Sequence, residues 1–379
     1  MNLPIYLDYA ATTPIDPTVI AAMVENLNYY GNPSSVTHAI GRQASACVEQ
    51  ARQHMADAIQ AQTSEVIWTS GATEANNLAI KGTAWFYQHK GRHIITSKIE
   101  HKAVLGSCEY LAQFGFEVTY LPTNQSGLID LQQLQAALRA DTILVSIMHV
   151  NNEIGVIQDI AAIGTLCRDY GVSLHVDAAQ SLGKLPIDMS QLQVDLMSFS
   201  AHKIYGPKGV GALYVRRKPR ARLVPLLHGG SQEQGLRGGT LATHQIVGMG
   251  LAAHIAQKKM QEESLRIKNL RDKLFAGITA LGDIQVNTDV ANSVAGILNI
   301  SVLGVEGEAL LPSLKNIALS AGSACNSASI DSSHVLRAIG LSDQLAHNSL
   351  RLSLGRFTTE EEIDYVVSYF NQVIKELRR

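Results

Sequence analysis

Polar side chains that could bind ligands or move protons follow several predicted strands, at the point where each strand ends. The segments are residues 70–74 (SGATE), 100–102 (EHK), 149–153 (HVNNE), 177–180 (DAAQ) and 200–203 (SAHK). Ligands of open α/β sheets bind beyond the carboxyl ends of the strands, so these segments predict one shared site. Loops are polar in any protein, but loop polarity alone does not predict this set of side chains beside small and apolar residues.

The residue types in these segments match the needs of one cofactor, pyridoxal 5′-phosphate (PLP). PLP needs a lysine that forms a Schiff base and an acid that keeps its pyridine nitrogen protonated, and Lys203 and Asp177 fit these roles. Residues 70–74 open a predicted helix, whose backbone N–H groups and dipole would attract the phosphate. Taken alone, an ordinary strand-to-helix turn explains them equally well. His101 is placed to cover the ring and transfer protons.

Further donors surround the predicted Schiff-base lysine. Ser200 and His202 add a hydroxyl and an imidazole for the phosphate, and Gln180 is placed to reach the phenolic oxygen of the cofactor. A lone lysine is usually a solvated surface residue. That interpretation is weaker for Lys203, because it lies between a β-rich run and the turn at residues 206–209 (GPKG).

The four cysteines divide into two kinds. Cys47, Cys108 and Cys167 lie among apolar residues at helical spacing, which is typical of cysteines that pack in a core. Cys325 lies in residues 320–329 (SAGSACNSAS), which contain no large apolar residue, so we expect an exposed, mobile thiol that acts as a nucleophile. No pair has CxxC spacing, which disfavours a zinc ribbon or a disulfide framework.

The elements that must position these residues alternate between β-rich and helical segments over residues 65–215. This alternation indicates βαβ units and a mostly parallel sheet. The pattern changes near residue 255, where an amphipathic helix over 258–281 precedes α+β elements and a capped final helix over 359–377. The sequence therefore predicts an α/β fold with a large domain over 14–256 and a smaller α+β domain over 257–379. We expect residues 1–13 to belong to the smaller domain as well, although this pattern alone does not derive that assignment.

Composition excludes several classes of protein. Of the 379 residues, 46% are hydrophobic and 17% are charged, which is enough apolar material for a folded core. The formal net charge of -2 disfavours a nucleic-acid binder. The start of the chain lacks the basic and apolar regions of a secretory signal, and no apolar run approaches the roughly 20 residues of a membrane helix. We expect a cytoplasmic protein that binds neither DNA nor membranes.

Together these segments resemble the cysteine desulfurases, in particular the iron–sulfur assembly (IscS/NifS) type. The resemblance spans nearly the whole chain, and each motif gains specificity from the others. It implies a fold-type I, class V aminotransferase-like enzyme that binds PLP, with a large, mostly parallel-sheet domain and a smaller α+β domain. Besides the segments above, the motifs are residues 6–14 (YLDYAATTP), 200–209 (SAHKIYGPKG), 322–325 (GSAC) and 351–356 (RLSLGR).

The resemblance also implies a role for each site residue. Lys203 would form the Schiff base, Asp177 would pair with the pyridinium, and His101 would stack on the ring and transfer protons. The remaining implied contacts are Gln180 and Asn152 to the cofactor oxygen; Ala72, Thr73, Ser200 and His202 to the phosphate; and Arg351, with Asn152 and Asn32, to the substrate.

The implied reaction converts L-cysteine to L-alanine and leaves a persulfide on Cys325. The persulfide sulfur would pass to acceptor proteins, with an iron–sulfur scaffold protein expected and transfer-RNA thiolation as another route. A homodimer with shared active sites is implied, in which Thr240 reaches the phosphate bound to the neighbouring subunit. No resident metal is predicted, and the residues leave open whether Cys325 transiently ligates an iron–sulfur cluster.

Some features depart from the family pattern. Ala201 stands where glycine is more usual, and Asn326 follows the cysteine where threonine is common. The chain stops at Arg379, soon after its last predicted helix, which puts scaffold docking through a longer tail in doubt. No reactive group is lost through these departures.

Other functions fit the residues less well. A selenocysteine lyase or another class V enzyme is the nearest alternative, although transamination needs no nucleophilic thiol such as Cys325. A non-catalytic partner subunit would not need Lys203, Asp177 and His101 intact. A metal enzyme fits poorly, because the histidines at the strand ends lack a matching set of carboxylate or thiol ligands.

Overall fold

The computed structural model describes residues 4–321 and 332–379, so the predictions on Cys325 lie outside the described residues. The strands are β1 (Ile5–Tyr6), β2 (Val66–Thr69), β3 (His93–Ser97), β4 (Glu117–Leu121), β5 (Thr142–Met148), β6 (Ser173–Asp177), β7 (Leu196–Ser200), β8 (Gly211–Val215), β9 (Ile284–Val286), β10 (Ile297–Val302), β11 (Ile317–Ala318), β12 (Ser320–Ala321) and β13 (Ser349–Ser353). The helices are α1 (Pro17–Leu27), α2 (Ala39–Ala58), α3 (Ala72–Tyr87), α4 (Lys102–Ala112), α5 (Leu131–Ala137), α6 (Ile160–Asp169), α7 (Thr243–Thr279), α8 (Gly307–Ser313), α9 (His334–Ala338), α10 (Asp343–His347) and α11 (Glu360–Leu377).

The larger sheet has seven strands in the order β2-β8-β7-β6-β5-β3-β4. Its strands are parallel except β8, which is antiparallel to both of its neighbours. The predicted mostly parallel α/β fold is therefore confirmed. Helices cover both faces, which is why β5 is buried along its whole length and reads as a continuous apolar run. Because these strands are parallel, their carboxyl ends meet at one edge of the sheet.

Alternate residues of the strands feed the cores on the two faces. Val145 packs with residues of α2, α6 and α7, whereas the adjacent Leu144 packs with residues of α3 and α4. Neighbouring side chains of a strand point to opposite faces, so a strand between two helical layers needs apolar residues at both parities.

A second, four-stranded antiparallel sheet has the order β12-β13-β10-β9. Its core includes Leu298, Leu352 and Phe370 of α11, together with Leu7 near the start of the chain. Strand β1 pairs in parallel with β11, so the N-terminal segment is anchored among the C-terminal elements. The division into two domains with the predicted boundaries stays a prediction.

Helix α7 is longer than predicted and begins at Thr243, not at residue 258. Its first part contributes Met249 and Ala253 to the core of the large sheet, and its second part contributes Leu274 to the core of the smaller sheet. Glycines hid the first part, since glycine has a low helix propensity. Gly250 is required there by packing, because a Cβ atom would lie 2.5 Å from the Cα of Ala51 on α2.

The final helix begins where its sequence predicts. The Thr359 hydroxyl accepts a hydrogen bond from the Glu362 N–H at 3.2 Å, and the Glu362 carboxylate accepts one from the Thr359 N–H at 3.0 Å. This reciprocal pair is a capping box, which satisfies two backbone donors. Within the described ranges, no helix is both long and apolar enough to span a bilayer.

Candidate active site

A cavity of about 490 Å³ lies at the carboxyl ends of β2, β5, β6 and β7, a volume within the range of small-molecule sites. The carboxyl ends of these strands were expected to share one site, and the structure brings most of the predicted residues together there. The predicted residues that line the cavity are Ala72, Thr73, His101, Asn152, Asp177, Gln180, Ser200, His202, Lys203 and Arg351.

Some predicted site residues lie elsewhere or are not described. Thr240 and Asn32 are exposed and do not line this cavity. Asn32 instead accepts a hydrogen bond from the Ser34 N–H at 2.9 Å, which stabilises a local turn. Cys325 lies outside the described residues. The predicted roles of these three residues stay predictions.

The start of α3 forms one wall of the cavity. The helix begins after Gly71, whose φ of 155° favours glycine and which provides no side-chain cap. The first N–H groups of a helix have no partner within the helix, and here they face a cavity that Ala72 and Thr73 line. Strand β8 packs closely against this turn, because a Cβ on Gly211 would lie 2.6 Å from the Gly71 Cα. The geometry suits a phosphate.

His202 is a neutral donor or acceptor in this site at neutral pH. Its Nδ1 lies 3.1 Å from the Thr12 hydroxyl. Burial lowers the pKa of His202 to about 4, with further contributions from the positive charges of Lys203, Lys208 and Lys184. His202 therefore lines the cavity as an uncharged imidazole, and Lys208 in the cavity wall brings a formal positive charge.

Lys203 is held by the N-terminal segment of the chain. Its ammonium group donates hydrogen bonds to the carbonyl oxygens of Ala10 at 2.5 Å and Ala11 at 2.7 Å. Lys203 lies in a short helical turn directly after β7, at the carboxyl end of that strand, and its side chain lines the cavity. The carbonyl groups that accept from it were not identified from the sequence.

Asp177 is a buried carboxylate with a fixed orientation. It ends β6 and is 6% exposed. One oxygen accepts from the side-chain amide of Asn76 at 2.7 Å, and the other accepts from the Ala179 N–H at 3.0 Å. Asn76 lies on α3 and is fully buried. The two hydrogen bonds fix the plane of the carboxylate in the cavity wall.

His101 caps α4 with its own ring. Nδ1 of His101 accepts a hydrogen bond from the Ala103 N–H at 3.1 Å. A neutral imidazole whose Nδ1 accepts carries its proton on Nε2. The ring also lines the cavity.

Arg351 lies in the middle of β13 and is 1% exposed. One terminal nitrogen pairs with Asp8 at 2.7 Å, and the other donates to the carbonyl oxygen of Asn152 at 2.9 Å. The side chain also lines the cavity. A guanidinium held in this way is suited to a ligand carboxylate.

The histidine on β6 is part of the core. His175 is fully buried, and its ring nitrogens lie 2.8 Å from the Ser146 hydroxyl and 2.9 Å from the Ser198 hydroxyl. Burial lowers the pKa of His175 to about 3, so it stays neutral and links three adjacent strands. No group of three or more His, Cys, Asp or Glu side chains is placed to hold a metal ion in the part of the chain that the structure describes.

The cysteines of the described ranges are poor nucleophiles. Cys108 and Cys167 are buried as expected, and burial raises the pKa of each thiol to about 12. Cys47 is only partly buried, so the expectation of a core residue was too strong there, and burial also raises the pKa of its thiol. All three thiols stay protonated at neutral pH.

Sequence reasoning missed several residues that hold the site together. Asp8 and Ala10 contact Arg351 and Lys203, Asn76 orients Asp177, and Lys184 donates to Gln180 at 2.5 Å. A signal existed for Asn76, which stands as a polar residue on the apolar face of α3. The contacts of Asp8 and Ala10 depend on chain segments that are far apart in sequence, and no periodicity reports them.

Comparison with known proteins identifies the family. The aminotransferase class-V family matches residues 5–366. Cysteine desulfurase IscS of Pectobacterium atrosepticum is 59% identical over 381 residues, covering 100% of this chain and 94% of that protein. Cysteine desulfurase IscS of Escherichia coli is 58% identical with the same coverage.

Solved structures agree with this comparison. A NifS-like protein superposes with a TM-score of 0.93 at 37% identity, covering 99% of this chain and 100% of that one. SspA in complex with cysteine superposes with a TM-score of 0.83 at 41% identity, covering 93% of this chain and 99% of that one. The chain therefore belongs to the aminotransferase class-V family and, within it, to the cysteine desulfurases.

Proposed function

We propose that this chain is a PLP-dependent cysteine desulfurase that converts L-cysteine to L-alanine and retains the sulfur as a persulfide on Cys325. The observation that supports this most strongly is the single cavity that gathers Lys203, Asp177, His101 and Arg351. It occurs in a chain 58% identical to a cysteine desulfurase over its full length. The same residues would have no common purpose in a non-catalytic subunit.

The side chains present fit PLP. Lys203 would hold its aldehyde carbon, Asp177 its pyridine nitrogen, and the start of α3 with Ser200 and His202 its phosphate. The buried, doubly hydrogen-bonded carboxylate of Asp177 suits a protonated pyridine nitrogen. When bound, PLP supplies an electron sink for the negative charge that develops on the substrate.

Asp177 has a fixed orientation in the cavity wall. The amide of Asn76 and the N–H of Ala179 each donate to a different oxygen, which fixes the plane of the carboxylate. The residue would therefore offer a hydrogen-bond acceptor of defined direction to the pyridine nitrogen of the cofactor.

Arg351 positions the substrate. The Asp8 and Asn152 contacts hold the guanidinium in place. Arg351 lines the cavity, where its positive charge would attract the carboxylate of L-cysteine and so orient the amino group and thiol of the substrate. His101 lines the same cavity and would transfer protons there.

Sulfur transfer requires a nucleophile that the described cysteines do not provide. The thiolate of Cys325 would attack the sulfur of L-cysteine, forming an S–S bond while the C–S bond breaks. The electron pair of the broken bond stays with the carbon fragment, which takes up a proton and leaves as alanine. Cys325 then carries the persulfide and passes its outer sulfur to a second protein.

The partners and location follow the same proposal. We infer a homodimer with shared active sites, a cytoplasmic location and an iron–sulfur scaffold protein as the sulfur acceptor, with transfer-RNA thiolation as a second route. The support for these inferences is the similarity to IscS proteins over the whole chain.

The test is an assay with L-cysteine that measures alanine and sulfide, followed by mass spectrometry of the peptide that contains Cys325. We expect alanine to form and the peptide to gain about 32 mass units, the mass of one sulfur. Cys325→Ala should keep the visible absorption of bound cofactor and lose both the persulfide and sulfide release. Cys47→Ala is the matched control and should behave like the wild type. Full turnover by Cys325→Ala would contradict the assignment.

A further inference from the structure

Lys184 is a lysine that the proposed reaction does not use, although it lies close to the active site. It lines a second, mostly apolar cavity that also touches Lys203. Its ammonium nitrogen donates to Oε1 of Gln180 at 2.5 Å. Burial lowers the pKa of Lys184 to about 7, and the positive charges of Lys203 and Arg351 contribute. Burial of a positive charge is unfavourable unless the charge is paired, so the contact with Gln180 is expected to have a role.

The amide of Gln180 has both of its ends engaged. Oε1 accepts from Lys184, and Nε2 donates to the carbonyl oxygen of Ala10 at 2.8 Å. A half-turn of the amide would place its N–H groups against the ammonium group and its oxygen against the carbonyl oxygen, so both contacts would become repulsive. The two partners therefore determine which end of the amide is nitrogen.

The fixed orientation determines what Gln180 presents to the cavity. Gln180 is 3% exposed and lines the active-site cavity. An amide nitrogen carries two hydrogens, and one of them is used by Ala10. The second is the donor that Gln180 has left for a ligand, while its oxygen is occupied by Lys184. Toward a ligand in the cavity, Gln180 can therefore act only as a hydrogen-bond donor, because its oxygen already accepts from Lys184.

We propose that Lys184 is a positioning residue for the cofactor, which fixes the amide of Gln180 so that an N–H group faces the phenolic oxygen of PLP. This inference rests on the proposed function and deepens it. Lys184 acts through Gln180, and the same Ala10 carbonyl that orients Gln180 also accepts from Lys203. The positions of the amide and of the Schiff-base lysine are therefore linked through one backbone group.

Lys184→Met removes the ammonium group and keeps most of the side-chain volume. PLP affinity is measured by titrating the cofactor-depleted chain, and we expect it to fall about three- to tenfold because one donor is no longer oriented. The pH midpoint of the visible absorption change should rise, since an N–H that faces the phenolic oxygen favours its deprotonated form and this donor is no longer held in place. The positive charges of Lys203 and Arg351 act on Lys184, Glu263 and Arg356 line the same cavity, and all four residues remain.

Two variants separate positioning from a structural role. Lys184→Arg keeps the charge and a donor and should restore both readouts toward the wild type. Lys259→Met removes a lysine from the exposed side of α7 and should change neither. If Lys184→Met does not fold, Lys184→Gln provides the same comparison.

A double variant tests whether Lys184 acts through Gln180. Gln180→Leu removes the amide, so adding Lys184→Met should cause no further loss of PLP affinity. Independent, additive losses would overturn the proposal, as would an unchanged affinity and midpoint in Lys184→Met. Alanine formation by the wild type is measured in parallel. Its absence would contradict the proposed function, whereas normal wild-type turnover with an unaltered Lys184→Met spectrum would contradict only the role of Lys184.

Discussion

The N-terminal segment fixes the position of Lys203, and the proposed Schiff base with PLP requires the amine of this residue. The carbonyl oxygens of Ala10 and Ala11 accept hydrogen bonds from the Lys203 ammonium nitrogen and fix its position. Lys203→Ala should lose the visible absorption of covalently bound PLP and reduce alanine formation by more than about a thousandfold. The spectrum and a cysteine assay measure the two effects, with Lys259→Ala as a surface control. An unchanged spectrum would exclude Lys203 as the Schiff-base residue.

Glu100, next to His101, is a buried acid that couples stability to pH. It is fully buried, and one oxygen accepts from the Ser97 hydroxyl at 2.7 Å and the Met148 N–H at 3.0 Å. The other oxygen has no partner among the described residues. Burial raises the pKa of Glu100 to about 8, and the negative charge of Asp177 contributes.

The sign of this coupling follows from the number of protons bound. Above the ordinary carboxyl pKa and below about 8, the folded state holds a proton on Glu100 that the unfolded state has released. Stability contributed by this group is therefore complete at low pH and lost as the pH rises toward 8. Between about pH 6 and 8 the free energy of unfolding of the wild type should fall by about 2 kcal/mol because of this group. Glu100→Gln mimics the protonated acid and should not show this part of the fall. Thermal unfolding of the wild type and of Glu100→Gln at both pH values measures this difference. If the stability of both proteins depends equally on pH, the prediction is wrong.

At the scale of elements, the N-terminal segment over residues 8–13 organises the site. It contacts Arg351 through Asp8, Gln180 and Lys203 through Ala10, and His202 through Thr12. The segment can do this because β1 pairs with β11 and anchors it beside the smaller sheet. Its contacts are made largely by backbone carbonyls, so the side chains give little sign of them.

Asp8 allows the segment to be tested. Asp8→Ala removes the counter-ion of a nearly fully buried arginine, so we expect Arg351 to lose its orientation and KM for L-cysteine to rise about tenfold. The value of kcat should change less, because Lys203 and its carbonyl partners remain. Asp8→Asn retains an oxygen acceptor and should show a smaller rise in KM. Steady-state kinetics decide, and a fall in kcat at constant KM would contradict this role.

Elements with a local sequence pattern were predicted well, whereas an element that depends on packing was not. β5 and the capped start of α11 occur where predicted, because strand burial and capping leave local patterns in the chain. The early start of α7 was missed, since a glycine needed for close contact with α2 lowers the local helix signal. Likewise, Asp177 and Lys203 were found at strand ends, whereas Lys184 was not, because its role depends on contact with Gln180. Local chemistry was predictable and the contacts that orient it were not.

For the whole molecule, α7 ties the two sheets together. Its first part packs under the large sheet and its second part under the smaller one. The active-site cavity draws residues from both sides of this arrangement, with Lys203 following the large sheet and Arg351 in the smaller one. A helix that contributes to both cores thus helps to set the distance between Lys203 and Arg351.

Thr240 raises the question of a second subunit. It is exposed and does not line the cavity of its own chain, although Arg237 of the same segment pairs with Glu74 at the start of α3 at 3.0 Å. In a homodimer with shared sites, Thr240 would complete the phosphate site of the partner. Thr240→Ala should then weaken PLP binding about three- to tenfold, the loss of one hydrogen bond to a charged group.

A heterodimer distinguishes sharing from action within one chain. Pairing a Lys203→Ala subunit with a Thr240→Ala subunit leaves one site with its own Lys203 and an intact Thr240 from the partner. If sites are shared, this heterodimer should form alanine at about half the wild-type rate when PLP is limiting, well above either variant homodimer. If Thr240 serves its own chain, the only site with Lys203 also lacks the threonine hydroxyl, and the heterodimer should be no better than half of the Thr240→Ala homodimer. Differently tagged subunits, purified in two steps and assayed at limiting PLP, give the answer.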